Sequence, residues 1–244
     1  MQSSEIAFCI GRYYKHVSQW EDVHMKGWPN VVGEFETVKK LAEGYSISRH
    51  GDGEFKLLDG KSHTRLHWIE NPKLTEELRH CITKPNAGCL IGIPTMDPKG
   101  DKYENWKRHK IRFAKWLNTR TKYYSAFISR PDCGTAWMEC YEYAEALRTI
   151  WAGKRIAIVC EPDSKLLTEV RNTNMRVDHI VCPSYNAYDE IDRFEREILA
   201  IKPEITLLSV GLTATALANR IAGHGFQAVD MGSIGAFFQR WPIT

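Results

Sequence analysis

From Arg155 to Val229 the sequence alternates short β-rich apolar runs with stretches of helix length, and this alternation restricts the fold more than any other feature. Arg155-Ile-Ala-Ile-Val-Cys160 reads as a strand, and Asp163 to Arg171 as a helix. Val177-Asp-His-Ile-Val-Cys182 is a second strand, closed by Pro183. Between Asp189 and Ile201, apolar residues at 191, 194, 198 and 201 recur every three or four positions, as on one helix face. Ile205 to Val210 is a third strand, Thr213 to Ala222 a helix, and Phe226 to Val229 a fourth strand. Strands this short, each followed by about a dozen helical residues, predict βαβ units: an α/β fold with a mostly parallel sheet and helices on both faces.

The first half is more mixed. Val32 to Ala42, Asp52 to Leu58, Lys73 to Thr83, Trp106 to Leu117 and Ala136 to Trp151 read as helices. Tyr45 to Ser48 and Cys89 to Ile93 read as strands, and Tyr124 to Ser129 as extended. No Ser/Gly/Pro-rich linker separates the halves, so the expectation is one domain over residues 1–244. Ligands of open α/β sheets bind beyond the carboxyl ends of the strands, which directs attention to the loops there.

One such loop is Ser48-Arg49-His50-Gly51-Asp52-Gly53-Glu54. Asp52 and Glu54 form an Asp-x-Glu pair, the hard oxygen donors that Mg²⁺ or Mn²⁺ takes together with substrate phosphates and water. Gly51 and Gly53 allow close backbone approach to a ligand, and Arg49 offers a fork suited to phosphate. The same residues also suit a plain helix start, with Asp52 as cap and Glu54 in the first turn.

At these residues the sequence resembles the GT-D-type glycosyltransferases. The resemblance continues in order through Ser129-Arg130-Pro131, Ile150 to Lys154, Pro183 to Tyr188 with Asn186 and Ala187, Gly211-Leu-Thr213-Ala-Thr215, and Asp230-Met-Gly232. It implies a Rossmann-like fold, a nucleotide-diphosphate-sugar donor (a UDP-sugar foremost) and a divalent metal at Asp52 and Glu54. For Gly211, Thr213, Asp230 and Gly232 it implies a place at the site. Two positions depart from the family pattern. Leu66-His67 stands where a Phe-Gln step is common, and Glu161-Pro-Asp-Ser-Lys165 where the loop is usually glycine-rich.

Roles follow from the chemistry. A metal at Asp52 and Glu54, helped by Arg49, suits the charge that develops on a departing diphosphate. Asn186 and the hydroxyls of Thr213 and Thr215 suit ribose, base or phosphate, and the helix after Gly211 offers free N–H groups. Asp230 is a candidate base for the acceptor hydroxyl, or equally a turn residue. His63 and His67 have the spacing of a helical zinc pair but lack a third ligand in a recognised spacing.

The net charge of +3, from 33 basic and 30 acidic residues, hides an uneven distribution. Lys99 to Lys122 holds nine basic residues against two acidic ones, a local charge of +7, with Tyr103, Trp106, Phe113 and Trp116 interleaved. Lys107, Arg108, Lys110 and Arg112 lie at its centre. Such a segment fits an anionic acceptor, such as nucleic acid with a hydroxylated base or a phosphorylated glycan, and equally a solvated amphipathic helix. Two further functional classes stay open on sequence: a non-catalytic nucleic-acid-binding α/β module, and another nucleotide-dependent transferase. No strand is followed by GxGxxG. The longest uncharged run, Ile205 to Ala218, is shorter than the roughly 20 apolar residues of a membrane span. Seven cysteines without a CxxC pair, and no signal-peptide pattern in the first 20 residues, predict reduced thiols in the cytoplasm.

Overall fold

The structure is a computed structural model and describes residues 28–61, 71–95, 112–130, 141–174, 176–235 and 237. In chain order the strands are β1 (Val31–Val32), β2 (Ser46–Arg49), β3 (Cys89–Ile93), β4 (Tyr123–Ser125), β5 (Ile156–Cys160), β6 (Val177–Val181), β7 (Ile205–Ser209) and β8 (Ala228–Asp230). The α-helices are α1 (Glu34–Ala42), α2 (Asp52–Leu58), α3 (Pro72–Thr83), α4 (Tyr141–Arg148), α5 (Lys165–Thr173), α6 (Ile191–Ile201) and α7 (Thr213–Gly223). The strands form one sheet in the order β1-β4-β3-β2-β8-β7-β5-β6, and every pairing is parallel.

The handedness of the connections explains which face each helix takes. Helices α1, α4 and α5 lie on links that advance toward the β6 edge, and they pack one core through Leu41, Leu147 and Val170. Helices α2, α3, α6 and α7 lie on links that advance toward the β1 edge, and they pack the other core through Phe55, Leu78, Phe194 and Leu217. Opposite travel on opposite faces is the outcome of a single crossover hand. The inner strands are apolar on both faces: in β5, Ile158 and Cys160 enter one core and Val159 the other.

Differences from the sequence expectation are local. Val31 and Val32 pair with β4 as a short strand, and the helix starts after Gly33. The extended stretch expected to Ser129 stops at Ser125, whose hydroxyl accepts from the N–H of Phe127 and turns the chain. Of the helix expected over 106–117, residues 112–113 are helical and run into a 3-10 turn at Ala114–Trp116, while 106–111 lie outside the described residues. The expected start of the fourth long helix, 136–140, lies outside the described residues.

Two consequences position the site. All strand carboxyl ends share one edge of the sheet, and between β7 and β5 the outgoing chains part to opposite faces, the kind of crevice in which α/β proteins bind ligands. Helix α2 has seven residues, too few to hold itself. Phe55 anchors it by stacking on Phe113, with centroids 4.7 Å apart, while Leu57 and Leu58 are buried beside it.

Candidate active site

The central strand β2 ends in Arg49, and the chain turns through His50 and Gly51 into α2. Gly51 is the N-cap residue and has no side chain to satisfy the first turn. The carboxylate of Glu54 turns back instead, and its Oε2 accepts from the Gly51 N–H at 2.7 Å. A Cβ on Gly51 would stand 3.2 Å from that oxygen, so glycine keeps the contact close. Gly53 lies in the first turn of α2. The loop is a helix start, with Gly51 rather than Asp52 as its cap, and Asp52 and Glu54 both lie in the first turn.

Glu54 is 9% exposed. Burial, reinforced by the nearby charge of Asp230, pushes its carboxyl up to about 7, while backbone N–H groups and Arg49 resist the shift. Asp52 differs: its side chain is 41% exposed, and Oδ2 is paired with Lys56 Nζ one helical turn on. Its Oδ1, however, is buried with no hydrogen-bond partner.

Arg49 does not line an open cleft. It is 7% exposed, and Nη1 donates to Ala126 O at 2.8 Å and to Ser129 Oγ at 2.9 Å. Its Nη2 stands 3.5 Å from Asp230 Oδ1. Ser129 passes the link on by donating to Met231 O at 2.7 Å. One guanidinium thus ties the exits of β2, β4 and β8 together. The glycines around it make the room: a Cβ on Gly92 would meet Arg49 Cγ at 3.2 Å, and one on Gly232 would run into Nη2. Gly232 also has φ +50, a left-handed backbone that glycine adopts without steric cost.

Asp230 is 3% exposed, and both its oxygens are engaged. Oδ1 accepts from the Gly232 N–H at 2.9 Å. Thr215 Oγ lies 3.1 Å from Oδ2 and 2.9 Å from Arg49 O, so one hydroxyl proton serves two acceptors. Burial raises the Asp230 carboxyl above its usual range, against the pull of Arg49. The carboxylate proposed from sequence as a base is therefore enclosed.

The structure brings Arg49, Glu54, Thr215, Asp230 and Gly232 into one cluster at the carboxyl ends of β2 and β8, with Asp52 at its rim. Gly211, at φ +59, turns β7 toward α7, where Thr213 is buried in the first turn. Ser209 Oγ donates to Gly232 O at 2.9 Å and joins this loop to the cluster. Asn186 stands apart, exposed and left-handed at φ 51, after the edge strand β6. Beyond it the chain turns over the helices, and Tyr188 bonds Glu77 on α3.

Of the basic segment, Lys107, Arg108 and Lys110 lie outside the described residues, as do His63 and His67. Arg112 is placed, and it serves the scaffold: its Nε bonds Asp59 at the end of α2, joined there by Lys115 at 2.9 Å and by Trp116 Nε1 at 3.0 Å. Burial opposes ionisation of Asp59, but these three donors hold its carboxyl below the usual range.

Sequence reasoning missed Ser129, His50 and Ser209. The Ser129-Arg130-Pro131 phrase was the available signal for the first. His50 is buried against Phe55, its Nε2 3.3 Å from Leu78 O, and burial lowers its pKa to about 4.

The donor set fits a hard divalent ion. Among the described residues no three or more His, Cys, Asp or Glu side chains gather to cage a metal. Asp52 and Glu54 supply two carboxylates, one with an unpartnered buried oxygen, and Mg²⁺ commonly takes one or two carboxylates and completes its shell with water and phosphate.

Comparison with known proteins decides the family. The family model described as glycosyltransferase GT-D fold matches residues 47–242. The chain belongs to the GT-D glycosyltransferase family. It is 26% identical over 213 residues to a glycosyl transferase, Gly, of Streptococcus gordonii, and 25% identical over 224 residues to glycosyltransferase GlyD of Streptococcus pneumoniae serotype 4. These matches cover 82% and 86% of the chain but 31% and 27% of the two relatives, so the chain spans under a third of their length. Among solved structures, the highly conserved domain of unknown function 1792, described as having a distinct glycosyltransferase fold, superposes with a TM-score of 0.77 at 26% identity, over 88% of this chain and 82% of that one. A second, from Streptococcus sanguinis, gives 0.75 at 22% identity over 88% and 85%, a likeness of fold. The single parallel sheet is thus the GT-D fold, and the match spans both the Asp-x-Glu loop and the β8 exit. No helix among the described residues is long and apolar enough to cross a membrane.

Proposed function

We propose that this GT-D chain transfers a sugar from a nucleotide-diphosphate-sugar, a UDP-sugar foremost, to an acceptor hydroxyl, with Mn²⁺ or Mg²⁺ held by Asp52 and Glu54. The observation that carries the reading is the buried cluster of Glu54, Arg49 and Asp230 beside the unpartnered Oδ1 of Asp52. When bound, the ion supplies Lewis-acid stabilisation of the charge on the leaving diphosphate.

The remaining work falls to the chain itself. Arg49 fixes the loops after β2, β4 and β8 and holds Asp230 and Glu54 at one place; it acts as a strut rather than as a phosphate ligand. Asp230 keeps the β8 exit turned through the Gly232 amide. At about 4.8 Å per strand, the β7/β5 crevice begins roughly 10 Å from β2, about the reach from a diphosphate to its base. The nucleoside therefore lies along β8 and β7, with the free N–H groups of the Gly211–Thr213 turn beneath it. Asn186, at the far end of this row, meets the outer part of the nucleotide. The acceptor is anionic, drawn by the +7 segment, of which Arg120 and Lys122 are exposed.

The test is thermal stability with UDP-sugars, with and without Mn²⁺. A donor at 100 times its Kd stabilises the native state by about 2.7 kcal/mol. The expected shift needs both ligands and is lost in Asp52→Asn. An equal shift in that variant, or with a chelator present, rules out the metal site.

A further inference from the structure

We propose that Lys56 is a built-in competitor of the metal at Asp52, weakening divalent-ion binding there. The inference rests on the metal reading above and extends it to a residue outside the Asp-x-Glu pair.

Asp52 and Lys56 stand four residues apart on α2, in the order that favours a helical ion pair, and the ammonium bonds Oδ2. Both side chains are accessible, Lys56 at 24% and Asp52 at 41%, so the pair by itself adds little to the fold. Its importance lies in what it does to one carboxylate. Oδ2 is occupied by a positive charge, while Oδ1 is buried and unpartnered. A divalent ion that takes Oδ1 must share the carboxylate with the ammonium or expel it.

Either course lowers metal affinity. Two cations on the two oxygens of one carboxylate stand about 5 Å apart, given ordinary metal–oxygen and hydrogen-bond lengths. At that distance the repulsion between a double and a single charge in a water-like medium, roughly halved by salt, corresponds to about a fourfold loss of affinity. Arg49 does not exert the same effect on Asp52, because its guanidinium is committed to Ala126, Ser129 and Asp230. Lys56 is the cation bonded to this carboxylate and still accessible to solvent.

The experiment is calorimetric titration with Mn²⁺ alone, without nucleotide, on the full chain and three variants. Lys56→Met keeps the length and helix preference of the side chain and removes its charge; it is expected to bind Mn²⁺ about fourfold more tightly. Lys56→Arg keeps the charge and is expected to match the unmodified protein. Thermal melts check that both variants fold. An unchanged or weaker affinity in Lys56→Met overturns the proposal, as does an equal gain in Lys56→Arg or an absence of Mn²⁺ binding in both the parent and Lys56→Met. Asp52→Asn separates the two ideas. Undiminished Mn²⁺ binding there refutes the metal reading, whereas weakened binding there with no gain in Lys56→Met refutes only the role of Lys56.

Discussion

Two buried groups on the same turn have opposite effects on stability as pH changes, and their cancellation can be undone one group at a time. Burial raises Glu54 from 4.5 to about 7 and lowers His50 from 6.5 to about 4. Glu54 folds more easily with its proton on, so its contribution is complete below about 4.5 and is lost as pH rises to about 7. His50 folds more easily neutral, so its contribution is complete above about 6.5 and is lost as pH falls to about 4. Each shift of about 2.5 units corresponds to about 3 kcal/mol at 1.36 kcal/mol per unit. Between pH 4.5 and 6.5 the two slopes oppose each other and nearly cancel. Glu54→Gln removes one of them. Relative to the unmodified protein, this variant should gain about 3 kcal/mol in stability on going from pH 4.5 to pH 7.5. Urea denaturation at pH 4.5, 5.5, 6.5 and 7.5 measures the difference. Parallel profiles for the two proteins would refute the burial argument, because other titrating groups are common to both and drop out.

Gly232→Ala and Gly60→Ala should differ, although both place alanine at positive φ. The Cβ meets open space at Gly60 and the Arg49 guanidinium at Gly232. Gly60→Ala should cost about 1–2 kcal/mol by urea denaturation and Gly232→Ala about 3 kcal/mol or more, since a buried ion pair is also disturbed; equal losses would mean that Arg49 is not held as described. Asp59→Ala strips the partner from Arg112, Lys115 and Trp116 and should cost about 3 kcal/mol, with faster amide exchange over 112–117; a loss below about 1 kcal/mol would place these contacts among solvent-screened surface pairs.

The part of the fold that was legible in sequence is the part governed by periodicity. The runs at 156–160 and 205–209 are mostly apolar because the sheet buries both their faces, whereas the edge run at 177–181 carries Asp178 and His179 and is read from Val177, Ile180 and Val181; helix α6 shows one apolar stripe through Ile191, Phe194 and Ile198. The short elements were less legible. Val31–Val32 becomes a strand only because β4 lies beside it, and Ser125 ends β4 through a hydroxyl contact that no periodicity encodes. In the site, the Asp-x-Glu pair was readable because its spacing and glycines are local. The role of Arg49 was not. Its partners Ser129 and Asp230 lie 80 and 181 residues away, and the same side chain would serve a phosphate equally well on an open surface. Arg112 repeats the lesson: within a run of cations nothing marks the one that meets Asp59 from the end of another helix.

Charge counting at the β2 exit limits the order in which ligands can enter. With Glu54 ionised, Asp52, Glu54 and Asp230 face Arg49 and Lys56, three negative charges against two positive ones. Asp230 is matched by Arg49 in the interior, where neither can be released without leaving an unpaired buried charge. The imbalance therefore falls on Glu54 and Asp52 at the rim. A nucleoside diphosphate approaching that rim alone meets the net negative charge of Asp52 and Glu54, which Lys56 offsets in part. Under the proposed function a divalent cation reverses the sign there, and below pH 7 its arrival also displaces the proton that burial keeps on Glu54. The buried Arg49–Asp230 pair sets the geometry of the loops, and the exchangeable charges on α2 decide what can bind beside them.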